Sequence, residues 1–337
     1  MCYNSGVELS LDVSLDRKNS LGIIDSLSAG FRLLVRRLDL LILPVLLDIW
    51  LWFMPPLSIA PLLERLATFY GQATDVEGFP VELAEMSNQV SEGLALLGET
   101  SNLWTLLANT WLMHMPSMMA AIGVLPGTSS ILVDRILAAG GLVFVLSLCG
   151  IFVGTVFLEL VAHALPIGNG EKPQGLSHFA NSIFRHYGRI IAFVLIVGLG
   201  VLLAYLPASF FVGVVAVLSP ALSSFLVLFL AIATMLLLFH LYFVVAAIIL
   251  DDLTIFAAIR QSIQLVRGSF LTAFGFFLVT WFITIGFMLI LGPLAKNVPA
   301  GTAIAILVNS FLGAGLATAL FIFYRTHLLR LAEEESI

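Results

Sequence analysis

Four ionisable side chains lie inside long apolar runs: Asp48, Glu159, His163 and His240. A charged group at the centre of a membrane helix costs about 2.5–3.5 kcal/mol, so such residues are the first place to look for chemistry. Asp48 follows Arg37 by eleven residues, and His240 precedes Asp251 by eleven. At about 1.5 Å of helix rise per residue, each lies about 16 Å from a charged boundary, at one depth. A hydrogen-bonded Asp48–His240 pair in the bundle interior is what a proton-coupled transporter or permease would use. The competing expectation is that each bonds to a neighbouring backbone or hydroxyl group, or that Asp48 reaches the outer interface near Pro55-Pro56.

Glu159 and His163 are four residues apart and share a helix face. Together they are half of a metal site, or the polar corner of an intramembrane lipid enzyme. A metal site needs a further ligand at the same depth, and no spacing nominates one. The plainer expectation is that both snorkel to the cytoplasm. His114, His178, His186 and His327 fall in interfacial segments and are expected to be solvated. The chain has no Walker A loop, no GxSxG elbow, no HExxH and no nucleotide fingerprint. Its two cysteines, Cys2 and Cys149, form no redox or zinc framework. The expectation is therefore a protein without catalytic residues, cofactor or metal.

The elements that position these residues follow from composition. The 337 residues are 60% hydrophobic and 11% charged, with a mean hydropathy of +1.07. A soluble domain carries about 25% charged residues, and too few polar groups are present here to cover a soluble globule. A disordered chain, a disulfide scaffold and a nucleic-acid binder are excluded. Residues 1–19 are polar and hold no apolar signal segment.

A helix needs about 20 apolar residues to cross about 30 Å of hydrocarbon. Six stretches qualify: 38–54, 137–158, 190–206, 223–250, 270–291 and 302–324. No Asp, Glu, Lys or Arg occurs from 190 to 250. That run reads as two spans joined by an apolar link, 207–220, dipping into the outer interface. Pro44 is expected to kink the first span. Residues 103–125 hold Asn109, His114 and Pro116, with Trp104 and Trp111 on one face. They read as an interfacial helix, with a seventh span as the competing reading.

Six spans place Arg17, Lys18, Arg32, Arg36, Arg37, Lys172, Arg185, Arg189, Arg260, Arg267, Arg325 and Arg330 on one side. Only Arg65, Arg135 and Lys296 fall on the other. Twelve against three is a strong positive-inside bias, so both termini are expected in the cytoplasm. The outer segment 57–136 carries eight acids and two bases.

Three basic segments resemble one another. Leu34-Val35-Arg36-Arg37 recurs as Leu265-Val266-Arg267-Gly268, and Ser182-Ile183 with Gly188 recurs 80 residues later as Ser262-Ile263 with Gly268. Apolar residues at helical spacing (Ile24, Leu27, Phe31, Leu34; Leu176, Phe179, Ile183; Phe256, Ile259, Ile263, Val266) oppose Arg32 and Arg36, Arg185 and Arg189, and Arg260 and Arg267. This is the pattern of an amphipathic elbow helix at the cytoplasmic interface. The expected fold is all-α and integral to the membrane: six transmembrane helices as three hairpins, each preceded by an elbow. The units are a tail 1–19, elbow and first span 20–56, external segment 57–136, second span 137–172, elbow with third and fourth spans 173–250, elbow with fifth and sixth spans 251–330, and a tail 331–337. Gly140-Gly141, Gly150, Gly154, Gly313 and Gly315 are small residues that permit close helix approach.

The run from Asp252 to Gly268, followed by a Phe-rich span, resembles the membrane domain that precedes the catalytic domain in some bacterial glycerophosphodiester phosphodiesterases. It is similar also to related six-span inner-membrane proteins of unassigned function. The likeness covers about residues 175–330 and, more weakly, 20–52. It implies a six-helix fold in a bacterial cytoplasmic membrane. It implies no diesterase chemistry, because no segment outside the spans is long enough for the catalytic barrel. The acidic external segment departs from that pattern. The function expected is a non-enzymatic membrane scaffold or assembly subunit, ahead of a transporter and of a lipid enzyme. Its partners are membrane lipids, with anionic headgroups meeting the basic elbows (Arg32, Arg36, Arg37, Arg185, Arg189, Arg260, Arg267), and a membrane protein or a second copy, with no nucleic acid.

Overall fold

The computed structural model describes residues 22–73, 81–110, 113–124, 128–165, 175–297 and 299–334. The helices are α1 (Ile23–Arg36), α2 (Ile42–Phe53), α3 (Ala60–Ala73), α4 (Val81–Thr100), α5 (Met118–Ile122), α6 (Ile136–Ala164), α7 (Leu176–Leu218), α8 (Pro220–His240), α9 (Val244–Asp251), α10 (Ile255–Gly268), α11 (Phe270–Asn297) and α12 (Pro299–Glu334). Short 3-10 turns cover Leu38–Leu41 and Leu103–Leu107. Four two-residue strands form a parallel pair, β1 (Leu57–Ser58) with β4 (Ile131–Leu132), and an antiparallel pair, β2 (Asn109–Thr110) with β3 (Met113–His114).

Five helices are long and apolar enough to cross a membrane: Ile136–Ala164, Ser177–Leu218, Pro220–Asp251, Phe270–Lys296 and Pro299–Arg330. The protein is an all-α, multi-pass membrane protein. The expected first span is the exception. There the chain forms a 3-10 turn and the twelve-residue α2. At about 1.5 Å per residue α2 covers about 18 Å, less than the hydrocarbon thickness. Pro44 is the third residue of α2, where its missing N–H breaks no helical bond. The bend precedes it, at Arg37–Leu41, so Pro44 starts the helix instead of kinking it.

Three further expectations are corrected. The link at 207–220 does not form. α7 runs unbroken through Pro207 to Leu218 and breaks only at Ser219, whose hydroxyl accepts from Leu222 N (3.4 Å) ahead of Pro220. Breaking the ladder in an apolar setting would strand several backbone groups, whereas one proline removes one bond. The second elbow is likewise no separate helix, because nothing between Tyr187 and Ile190 caps or breaks it. Residues 103–125 are neither an interfacial helix nor a span. The described residues there, 103–110 and 113–124, fold as a turn, a strand pair and the five-residue α5. Trp104 donates through Nε1 to Pro55 O (3.0 Å) and packs edge-on against Trp50; Trp111 lies outside the described residues.

Burial is uneven along the helices. One core cluster gathers the 151–165 end of α6, residues 190–194 of α7, residues 239–249 of α8 and α9, the inner face of α10 and residues 314–324 of α12. Beyond it α7 and α8 are bare: Phe210, Leu218, Phe225 and Phe229 are all exposed. At about 65 Å, α7 is twice as long as the hydrocarbon is thick. The molecule thus has one closed, well-packed end and one end whose apolar surfaces have the character of lipid-facing helices. α1 packs along α12 at the closed end, with Phe31 against Gly315 and Phe311. Outside the bundle α3 and α4 pack together, Ser87 and Ser91 donating to Tyr70 O (2.7 Å) and Ala67 O (3.0 Å).

Candidate functional site

The closed end holds a polar network drawn from four elements. Glu159 on α6 is 2% exposed, and its Oε1 meets His186 Nδ1 on α7. The other ring nitrogen of His186, Nε2, lies 3.1 Å from Asp252 Oδ1. Asp252 stands at the corner between α9 and α10 with φ +52°, a left-handed conformation that non-glycine residues rarely adopt. The corner is held by arginines: Arg185 Nη2 is 3.1 Å from Asp252 Oδ2, and Arg189 Nη1 reaches Oδ1 and donates to the carbonyls of Asp252 (2.8 Å) and Leu253 (3.2 Å). One residue earlier, Asp251 pairs with Arg325 of α12 and accepts from Tyr324 OH (2.5 Å) and Gln261 Nε2 (3.0 Å). The network ties α6, α7, the α9–α10 corner and α12 into one layer.

Burial works against the charge of Asp252, but hydrogen bonds from His186 and Arg189 and the charges of Arg185 and Arg189 outweigh it, holding the carboxyl below its usual 3.8. A group with a depressed folded pKa adds stability above its unfolded pKa and loses it as pH falls through the folded value. Asp252→Asn should therefore lower Tm in detergent at neutral pH, and the gap to wild type should close below about pH 4. A gap that stays constant down to about pH 3 would show that the ion pairs contribute nothing.

A second polar knot ties α2 to the external segment. Asp48 is fully buried; its carboxylate accepts from Ser117 Oγ, from Met118 N (2.8 Å) and from Met119 N (3.1 Å), at the start of α5. His240 gives its Nδ1 to its own helix, at Leu236 O (2.7 Å). The structure does not bring Asp48 and His240 together: His240 is satisfied within its own helix, and Asp48 by groups about 70 residues further along the chain.

Other expectations are corrected by burial. Glu159 does not snorkel; it turns inward to His186. His163 hydrogen-bonds the Glu159 carbonyl (2.9 Å) and lies 3.7 Å from its carboxylate. Among the described residues no group of three His, Cys, Asp or Glu side chains is placed to hold a metal. His186 and His327 are buried, the latter stacked on Phe323 at 4.0 Å, while His178 is exposed. The side chain of His114, with Arg17, Lys18 and Lys172, lies outside the described residues. Of the basic candidates, Arg37 pairs with Asp39 (2.9 Å), and Arg185 and Arg189 serve Asp252. Arg32, Arg36, Arg260 and Arg267 are exposed. Sequence reasoning passed over Asp251, Asp252, Gln261, Tyr324 and Arg325. A signal was present: between Glu171 and Glu333 the pair Asp251-Asp252 holds the only acids, amid six arginines and two lysines.

Residues 91–328 match the profile of a family described as a domain of unknown function, DUF7847. The chain belongs to that family. The DUF7847 region takes in 238 of the 337 residues, including every member of the Glu159–Asp252 and Asp251–Arg325 network. It leaves out α1, α2 and Asp48, while the groups that bond Asp48 lie within it. Neither the curated proteins nor the solved structures contain a match.

Proposed function

We propose that the protein is a non-enzymatic membrane module, a scaffold or assembly subunit, whose closed end faces the cytoplasm of a bacterial cell and meets anionic lipid headgroups through α1 and α10. The observation that carries this reading is a charge balance. The acids of the network are already matched by His186, Arg185, Arg189 and Arg325. Arg32, Arg36, Arg260 and Arg267 stand exposed on two amphipathic helices, with no carboxylate against them among the described residues. Each such arginine is worth about 1 kcal/mol near an anionic leaflet. In this reading the 3-10 turn and the short α2, which is not among the five long apolar helices, make up a sixth crossing, and both termini then lie on the cytoplasmic side. The likeness of 175–330 to six-span bacterial membrane domains agrees with this.

Lipid analysis of protein purified in mild detergent tests the reading. Wild type should retain phosphatidylglycerol several-fold over its share of the membrane. The variant carrying Arg32→Gln, Arg36→Gln, Arg260→Gln and Arg267→Gln should lose most of that excess while keeping its Tm. An unchanged lipid ratio would refute the contact.

A further inference from the structure

His186 is a buried imidazole with a carboxylate on each ring nitrogen: Glu159 Oε1 at Nδ1 and Asp252 Oδ1 at Nε2, 3.1 Å away. An ionised carboxylate only accepts hydrogen bonds, and a neutral imidazole donates from one nitrogen only. Both contacts are attractive together only when the Glu159–His186–Asp252 cluster holds one proton more than the neutral ring and two carboxylates provide.

We propose that this cluster is a proton-held clamp: with His186 doubly protonated it ties α6 and α7 to the α9–α10 corner, and loss of one proton cuts that tie, leaving the corner to Arg185 and Arg189 alone and so looser. The surroundings say which bond opens. Glu159 is enclosed, with Ser182 Oγ at 3.5 Å and the His163 ring at 3.7 Å as its other polar neighbours. Asp252 is half exposed, with its side chain at 49%, and keeps Arg185 and Arg189. From α12, Arg325 pairs with Asp251, the neighbouring acid, and Gln261 of α10 donates to Asp251 and to Tyr324 OH. The Nε2 proton therefore leaves to solvent past Asp252, Nδ1–H stays on Glu159, and the lone pair left on Nε2 repels the Asp252 carboxylate. α10 begins three residues beyond Asp252, so the same step loosens the helix that carries Arg260 and Arg267. The clamp stands independently of the lipid reading, since its geometry involves no lipid.

Spin labels test it in full-length protein in a neutral detergent, free of anionic lipid. Cys2→Ser and Cys149→Ser clear the background; Asn181→Cys on α7 and Phe256→Cys on α10 place labels at exposed positions. The interlabel distance distribution should be narrow at about pH 6 and broad or shifted at about pH 9, and His186→Gln, which carries no proton to lose, should give one distribution at both. Nitrogen-15 spectra of histidine-labelled protein should show both His186 ring nitrogens protonated at the lower pH. A wild-type distribution that does not move with pH, a pH response that survives His186→Gln, or a singly protonated His186 ring with both carboxylates ionised at about pH 6 would each overturn the clamp. Loss of lipid selectivity in the arginine variants would leave these results untouched.

Discussion

Asp48→Ala is expected to destabilise the protein by about 3–5 kcal/mol, because it strands three donors at once. Ser117 Oγ and the amides of Met118 and Met119 all spend their hydrogens on this carboxylate. Each buried donor left without a partner costs about 1–3 kcal/mol. The site sits among Leu51, Met118, Met119 and Ile122, apolar side chains that supply no substitute acceptor. Asp48→Asn keeps one acceptor oxygen and should cost less than half as much; Ser117→Ala should cost about 1 kcal/mol. Tm in detergent, with protease sensitivity of the 103–124 segment, reads out the series. If Asp48→Ala melts with wild type, the knot is not what holds α2 to the external segment.

The second large effect lies at the α1–α12 contact. A Cβ added to Gly30 would stand 2.7 Å from the Ala319 backbone nitrogen and 2.8 Å from its Cα. Backbone cannot swing aside as a side-chain tip can, so Gly30→Leu must push α1 off α12. Overpacking of this kind costs about 1–3 kcal/mol, and Gly30→Leu should lie at the upper end, exposing α1 to limited proteolysis. Gly313 and Gly315 are similarly tight, against Pro116 and Phe31. Gly140 and Gly141, expected from sequence to mediate close approach, have nothing within 4 Å of an added Cβ, as does Gly198. Gly198→Ala is thus the control: it should leave Tm unchanged or raise stability by up to about 1 kcal/mol through helix propensity. A Gly30→Leu protein as stable as that control would mean α1 is not docked there.

The contrast between these glycines shows where sequence reading stopped. All of them sit inside helices, and residue type alone does not tell Gly30 from Gly198. Only the neighbour across the interface does. The elbows divide in the same way. α10 was legible because Phe256, Ile259, Ile263 and Val266 keep helical spacing and Gly268-Ser269 closes the helix. The equivalent stretch of α7 carries the same spacing, yet no breaker follows Gly188 and the helix runs on. The histidines misled because an interfacial position says how near water is, and not whether a carboxylate 27 or 66 residues away turns toward the ring.

By itself the sequence determined that this chain has the composition of a membrane protein, that its long apolar runs are helical, and that most of its arginines flank those runs. Those properties follow from composition and from a periodicity that repeats within a few turns. The tertiary structure alone decided that Glu159, His186 and Asp252 meet, that Asp48 closes the start of α5 instead of facing His240, and that twelve residues rather than a full span follow the first elbow. The reason is physical: burying apolar surface is satisfied by many neighbours, whereas a buried polar group is satisfied by a particular partner at a particular distance, and that partner is known only once the helices have packed.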